Sequence, residues 1–246
     1  MMRALMVLVM AAAVMSGTTT VLAQTADSAT WEVKYEGDVL PDANSPAFST
    51  EEYNPSSGTV GNSVSGGVLT TSLTGSDGRG EVGWKLFNVF TDPNVGSSIE
   101  MRARLISGGG MVIRHRGAQS DFGMNIRSTN DITCGTGGGC KSGPDQTPLP
   151  NGGVITDWHI YRTTRDGGSG LIHFYMDNDP TPILGPLTGA NAGNAIVFQL
   201  VGGDGSMEVD FYRATATGAF PAIPEPATLG LMSLGGLLAL RRRRSA

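Results

Sequence analysis

The chain has 246 residues and a formal net charge of −5, and 36 of its residues are Gly and 13 are Pro. Glycine at roughly twice its usual share, with no Gly-X-Y period and with aromatic and β-branched residues recurring in strand-length blocks, excludes collagen, wholesale disorder and long helices. Arg3 and Arg241 to Arg244 lie in the terminal segments, so the body from Gln24 to Ile223 keeps 12 basic and 21 acidic residues, a net of −9, which argues against nucleic acid as a partner.

Residues 1–23 carry one positive charge at Arg3, an apolar stretch from Ala4 to Met15 and a closing Val21-Leu22-Ala23. This is the three-part layout of a secretory signal peptide, and it predicts cleavage by signal peptidase with a mature chain starting near Gln24. A membrane anchor or a buried first helix is the alternative; the apolar stretch falls short of the ~20 residues that a span needs.

The segment 24–220 has a length that suits one all-β domain. In chain order the candidate strands are Trp31–Tyr35, Gly67–Leu73, Glu81–Asn88, Ser98–Leu105, Met111–His115, Phe122–Ile126, Trp158–Thr163, Leu171–Asp177, Ile196–Val201 and Met207–Tyr212. Alternation is plainest where Ile99, Met101, Ala103 and Leu105 interleave with Ser98, Glu100, Arg102 and Arg104, and where Met207, Val209 and Phe211 interleave with Glu208, Asp210 and Tyr212.

Cys134 and Cys140 flank Gly135-Thr136-Gly137-Gly138-Gly139. In an exported chain such a close pair predicts a disulfide, since the loop offers no His to complete a metal site and the spacing is not Cys-X-X-Cys.

A turn at Asp166-Gly167-Gly168, with pairing centred on Gly167, would set Trp158 opposite Met176, Ile160 opposite Phe174 and Arg162 opposite Ile172. The other face would then gather His159, Tyr161, His173, Tyr175 and Asp177, a mix of rings and hydrogen-bonding groups suited to a sugar or another small ligand; the alternative is that these rings pack under a loop or against a second sheet. Asp177-Asn178-Asp179 and Asp204-Gly205 could offer oxygens to Ca²⁺ but read first as turns, so no cofactor is expected. Neither a Gly-X-Ser-X-Gly nucleophile elbow nor a phosphate-binding Gly-X-X-X-X-Gly-Lys loop is present.

About ten strands, Gly-rich turns and a closing strand that ends at Arg213 resemble the concanavalin A-like jelly roll, and within it the laminin-G-like domains. The resemblance implies a two-sheet antiparallel sandwich, with an immunoglobulin-like sandwich as the alternative. Glu208-Val209-Asp210 is similar to the Glu-X-Asp-X-X-Glu strand of the laminarinase-like hydrolases, but Arg213 occupies the position of the third acid. Glycoside hydrolysis needs a proton donor beside a nucleophile. The expectation is therefore a non-catalytic body on which Glu208 and Asp210 form a solvated strand face opposite Arg102 and Arg104; a glycan-cleaving enzyme using Glu208 and Asp210 is the alternative, and a matrix component that binds no glycan is a third reading.

The remaining segment, 221–246, contains Pro224-Glu225-Pro226, an uncharged stretch from Ala227 to Leu240 and the cluster Arg241-Arg242-Arg243-Arg244. Prolines at the entry and arginines at the exit fit a short membrane-embedded helix held by its positive end. The three features in this order resemble the PEP-CTERM sorting signal recognised by exosortases. That resemblance implies export, cleavage near the motif, and delivery to the cell surface or the extracellular matrix, usually in organisms that make exopolysaccharide. A permanent single-span anchor is the alternative. Taken together, these readings predict a signal peptide, a β-sandwich with possible carbohydrate or adhesive contacts in a biofilm matrix, and a C-terminal sorting helix.

Overall fold

A computed structural model describes residues 31–219 except 54–57, 79, 91, 93, 117–120, 135–145 and 189–193. Its regular structure is almost wholly β: β1 (Val33–Tyr35), β2 (Ser49–Tyr53), β3 (Thr59–Ser65), β4 (Val68–Thr74), β5 (Glu81–Phe87), β6 (Ser97–Ser107), β7 (Gly110–Arg116), β8 (Asp121–Arg127), β9 (Asp131–Cys134), β10 (Gln146–Pro148), β11 (His159–Arg165), β12 (Leu171–Met176), β13 (Leu184–Thr188), β14 (Ala195–Val201) and β15 (Gly205–Thr215). All pair antiparallel. The front sheet runs β13-β12-β11-β6-β15-β4-β3, with β1 added to β15, and the back sheet runs β10-β9-β8-β7-β14-β5-β2. The body is thus a two-sheet jelly roll.

All ten predicted strands exist with small shifts in their bounds. The five that the sequence reading missed are β2, β3, β9, β10 and β13; four of them end a sheet and β9 lies next to an end. A strand with only one neighbour buries less, so its apolar alternation is weak; Thr59–Ser65 holds just two valines.

Alternation in β6 puts Ile99, Met101, Ala103 and Leu105 into the interior, as expected. In β15 the alternation breaks at a bulge between Val209 and Phe211. The extra residue shifts the phase, so Tyr212 is fully buried while Phe211, expected inside, is partly exposed. At the centre of the interior, Tyr35, Phe48, Phe198 and Tyr212 pack ring against ring with centroids 4.7–6.3 Å apart. Two polar bridges cross between the sheets: Trp84 Nε1 donates to Thr71 Oγ1 at 3.3 Å, and His115 Nε2 meets Thr163 Oγ1 at 3.2 Å.

The predicted register of the β11–β12 hairpin is corrected. Its loop spans Asp166 to Gly170, closed by Asp166 N donating to Leu171 O at 2.8 Å, and Tyr161 pairs with Met176, Thr163 with Phe174 and Arg165 with Ile172. Arg165, which the expected turn would set opposite Ser169, pairs with Ile172, a shift of three positions. In a structure of period two that exchanges the faces. Tyr161 therefore joins Phe174 and Met176 in the core, while Arg162 and Tyr175 face outward.

The ends of the body meet. β1 pairs with the last part of β15, Val33 opposite Ala214, and Ala216 N donates to the Glu32 carboxylate at 2.8 Å. Among the described residues no helix is long and apolar enough to cross a membrane. Both the predicted signal peptide and the predicted sorting helix lie outside the described residues.

Candidate functional site

Outward-facing side chains of β6, β11 and β15 bring opposite charges side by side on the outer face of the front sheet. Arg104 and Glu208 are cross-strand partners 2.7 Å apart, and Arg102 pairs with Asp210, the residue that the bulge displaces. One register step along, Arg162 on β11 donates to Glu100 on β6, Nε to Oε2 at 2.8 Å, and Arg213 on β15 reaches Glu36 at 3.2 Å. Cross-strand opposite charges are the arrangement that stabilises a solvated sheet face. The expected placement of Glu208 and Asp210 opposite Arg102 and Arg104 is what the structure holds.

Trp158 stands at one edge of this lattice, its ring centroid 4.8 Å from the Arg102 guanidinium and 4.9 Å from that of Arg104. It is partly exposed. The sequence reading set it opposite Met176, and the corrected register is why it lies on the outer face. A tryptophan held edge-on or face-on by two arginines is a rigid flat surface with donors around it. At the opposite edge Trp31 covers the buried Arg162, 6.0 Å from ring centroid to guanidinium.

The five residues predicted to share a face are divided. His159 lies near the end of β11, with Nδ1 2.7 Å from Asp177 Oδ2 and Nε2 3.1 Å from Val154 O, and Asp177 Oδ1 accepts from Ile160 N at 3.0 Å. Tyr161 is fully buried, and burial pushes its hydroxyl far above the ordinary tyrosine range. His173 and Tyr175 are on the outer face, rings 6.3 Å apart, with His173 Nε2 3.7 Å from Asp166; Tyr175 is only 6% exposed, and burial raises its hydroxyl pKa. His159 and Asp177 are thus brought together, His173 and Tyr175 are brought together, and Tyr161 is separated from Tyr175 by the thickness of the sheet.

The two candidate calcium runs spend their carboxylates on the chain itself. Asp179 Oδ1 accepts from Thr181 N at 2.8 Å, and the oxygens of Asp204 accept from Gly75 N at 2.8 Å and Ser76 N at 2.6 Å, hydrogen bonds that hold the Asp204 pKa below the ordinary range. Among the described residues no group of three or more His, Cys, Asp or Glu side chains could hold a metal ion. Cys134 ends β9, half-buried and not a free thiol. Cys140 lies outside the described residues, as do the sorting-motif residues Pro224, Glu225, Pro226 and Arg241 to Arg244.

Residues 222–244 match the PEP-CTERM protein-sorting motif, in agreement with the reading of the tail. Among curated proteins none matches the chain. Solved structures with a similar fold include an endo-1,3-β-glucanase from Streptomyces sioyaensis, 15% identical with a TM-score of 0.54 over 75% of this chain and 95% of that one. Another is a GlcNAcα1-4Gal-releasing endo-β-galactosidase from Clostridium perfringens, 14% identical with a TM-score of 0.53 over 75% of this chain and 62% of that one. At such identity the likeness is one of fold. The chain is an exported, envelope-associated protein whose sorting motif implies processing by an exosortase, and its body is a jelly roll.

Proposed function

We propose that the body is a non-catalytic module that contacts extracellular polysaccharide at the cell surface through the outer face of the front sheet around Trp158. The observation that carries the non-catalytic half is the pairing of Arg104 with Glu208 and of Arg102 with Asp210. Both carboxylates are turned to guanidinium groups of the neighbouring strand, whereas a glycosidase needs a nucleophile and a proton donor that reach the substrate. Arg213, at the position of the missing third acid, is itself turned to Glu36. The binding half is supported by Trp158, a ring buttressed by two arginines, since flat aromatic surfaces flanked by hydrogen-bonding groups suit the apolar faces and hydroxyls of a pyranose.

The test is a polysaccharide-binding assay on the exported chain and on its Trp158→Ala form, run beside an assay for reducing ends released from β-glucans. Binding that falls at least tenfold with Trp158→Ala, without release of reducing ends, supports the proposal. Equal binding by both forms refutes the site. Release of reducing ends that disappears on Glu208→Gln refutes the non-catalytic reading and favours the glycan-cleaving alternative.

A further inference from the structure

We propose that β3 is a self-association edge, pairing antiparallel with β3 of a second copy of this chain about a two-fold axis at Asn62. Among the described residues five strands have one neighbour only: β1, β2, β3, β10 and β13. Exposed strand edges are templates for further pairing, and folded proteins ordinarily blunt them with charge, proline, shortness or a bulge. β1 and β10 are three residues long, and these contain Lys34 and Pro148 respectively. β2 carries Glu51 and Glu52, and β13 carries Pro186 beside a register shift. β3, with seven residues Thr-Val-Gly-Asn-Ser-Val-Ser, has none of these protections.

Its sequence is nearly the same read in both directions. In an antiparallel pair centred on Asn62, Val60 lies opposite Val64, Gly61 opposite Ser63 and Thr59 opposite Ser65. The backbone has the matching phase. β3 and β4 are joined by Gly66-Gly67, both at positive φ (60° and 78°), a two-residue loop that closes on the hydrogen-bonded pair Ser65 and Val68. Alternate residues of β3, namely Thr59, Gly61, Ser63 and Ser65, then turn their N–H and C=O groups to β4. Hydroxyls from that side, Ser72 Oγ at 3.3 Å and Thr74 Oγ1 at 3.5 Å, donate to Gly61 O and Thr59 O as well. Val60, Asn62 and Val64 consequently aim their backbone groups at the open edge. In the two-fold arrangement these three residues pair only with one another, which gives a ladder of about six hydrogen bonds.

The side chains at the axis agree. Asn62 lies opposite Thr71 in the ladder, between Val60 and Val64, which pack against the core. Among the described residues the oxygen of its amide has no hydrogen-bond partner. The residue that comes to lie opposite it in a second copy is another Asn62, an uncharged pair that brings no like-charge repulsion to the axis.

Three variants of the full chain test this by sedimentation in mild detergent and by non-reducing electrophoresis of the cell envelope. Asn62→Pro removes only an outward N–H, a change that an edge strand tolerates, and Asn62→Asp places two carboxylates at the axis. Both should convert a dimer into a monomer that keeps the β-sheet circular dichroism of the wild type. Asn62→Cys should give a covalent dimer, since directly opposite Cα atoms in such a pair are about 5.5 Å apart, within disulfide reach. A wild-type chain that is monomeric, or a dimer that survives both Asn62→Pro and Asn62→Asp, overturns the proposal. Mixed disulfides from Asn62→Cys with a different envelope protein, and none with itself, would also overturn it and assign the edge to that partner.

Discussion

Arg162 and Glu100 face each other across β11 and β6 on the outer side of the front sheet, yet they are only 1% and 4% exposed. The ring of Trp31, which lies just before β1, lies against the guanidinium. A buried pair of this kind adds little over apolar residues of the same shape, but half of it is a liability. Glu100→Gln should therefore lower the unfolding free energy by about 3–5 kcal/mol in urea denaturation, and the double change Glu100→Leu with Arg162→Met should recover most of that loss. A single change that costs less than about 1 kcal/mol would show that water replaces the carboxylate.

His115 lies in the interior, stacked on Phe90 with centroids 4.7 Å apart, and burial, aided by the nearby Arg165, holds its pKa well below the ordinary histidine value of 6.5. The folded chain keeps it neutral while the unfolded chain protonates it below about pH 6.5. The unfolded state then binds more protons, so stability contributed here is intact above that pH and falls as the pH drops towards the folded pKa. The expected result is a melting temperature that declines between about pH 7 and about pH 5 in the wild type and declines less in His115→Gln. Asp131, whose pKa is lowered chiefly by its hydrogen bond from Arg127, acts in a separate window below the ordinary aspartate value of 3.8. Parallel slopes for the two proteins would exclude His115 as the source.

Tyr161 is fully buried, and among the described residues its hydroxyl has no hydrogen-bond partner. Removing an unsatisfied buried hydroxyl relieves a desolvation cost, so Tyr161→Phe should leave stability unchanged or raise it by up to about 1 kcal/mol. Tyr161→Ala empties the ring's volume and should cost about 3–5 kcal/mol. Thermal unfolding of the two variants checks both, and a destabilising Tyr161→Phe would mean that the hydroxyl is hydrogen-bonded after all.

Cys134 and Cys140 are proposed to close a short disulfide loop in the exported chain. The expected outcome is that neither thiol is alkylated in unfolded, unreduced protein and that both are after reduction. Alkylation without reductant would show two free thiols.

In the tail, replacement of Arg241 to Arg244 by neutral residues should reduce retention in the membrane before processing, because clustered positive charge holds the cytoplasmic side. Pulse-labelling of the precursor checks this. Unchanged processing and delivery would mean that the arginines are not part of the stop signal.

Much of this molecule was legible beforehand. The periodicity of Ser98–Leu105 gave the central strand and its buried face, because both of its neighbours enforce a period of two. Glu208 and Asp210 could be placed against Arg102 and Arg104 from charge alternation alone. The candidate binding face was not legible, since it depended on the length of one glycine-rich loop. With Arg165 opposite Ile172 rather than Ser169, the pairing moves by three positions and Tyr161 goes from the outer face to the core.

The sequence by itself determined the sorting tail and the all-β character, because these depend on local composition and on residues near one another in the chain. Only the tertiary structure decided which carboxylates are neutralised, where the bulge in β15 turns Phe211 outward, and which edge is left open. Each of those is set by residues far apart in sequence: Arg104 meets Glu208, and the chain's first described strand closes on its last. Ladder register, which fixes every such meeting, is a property of strands in contact, and no single strand carries it.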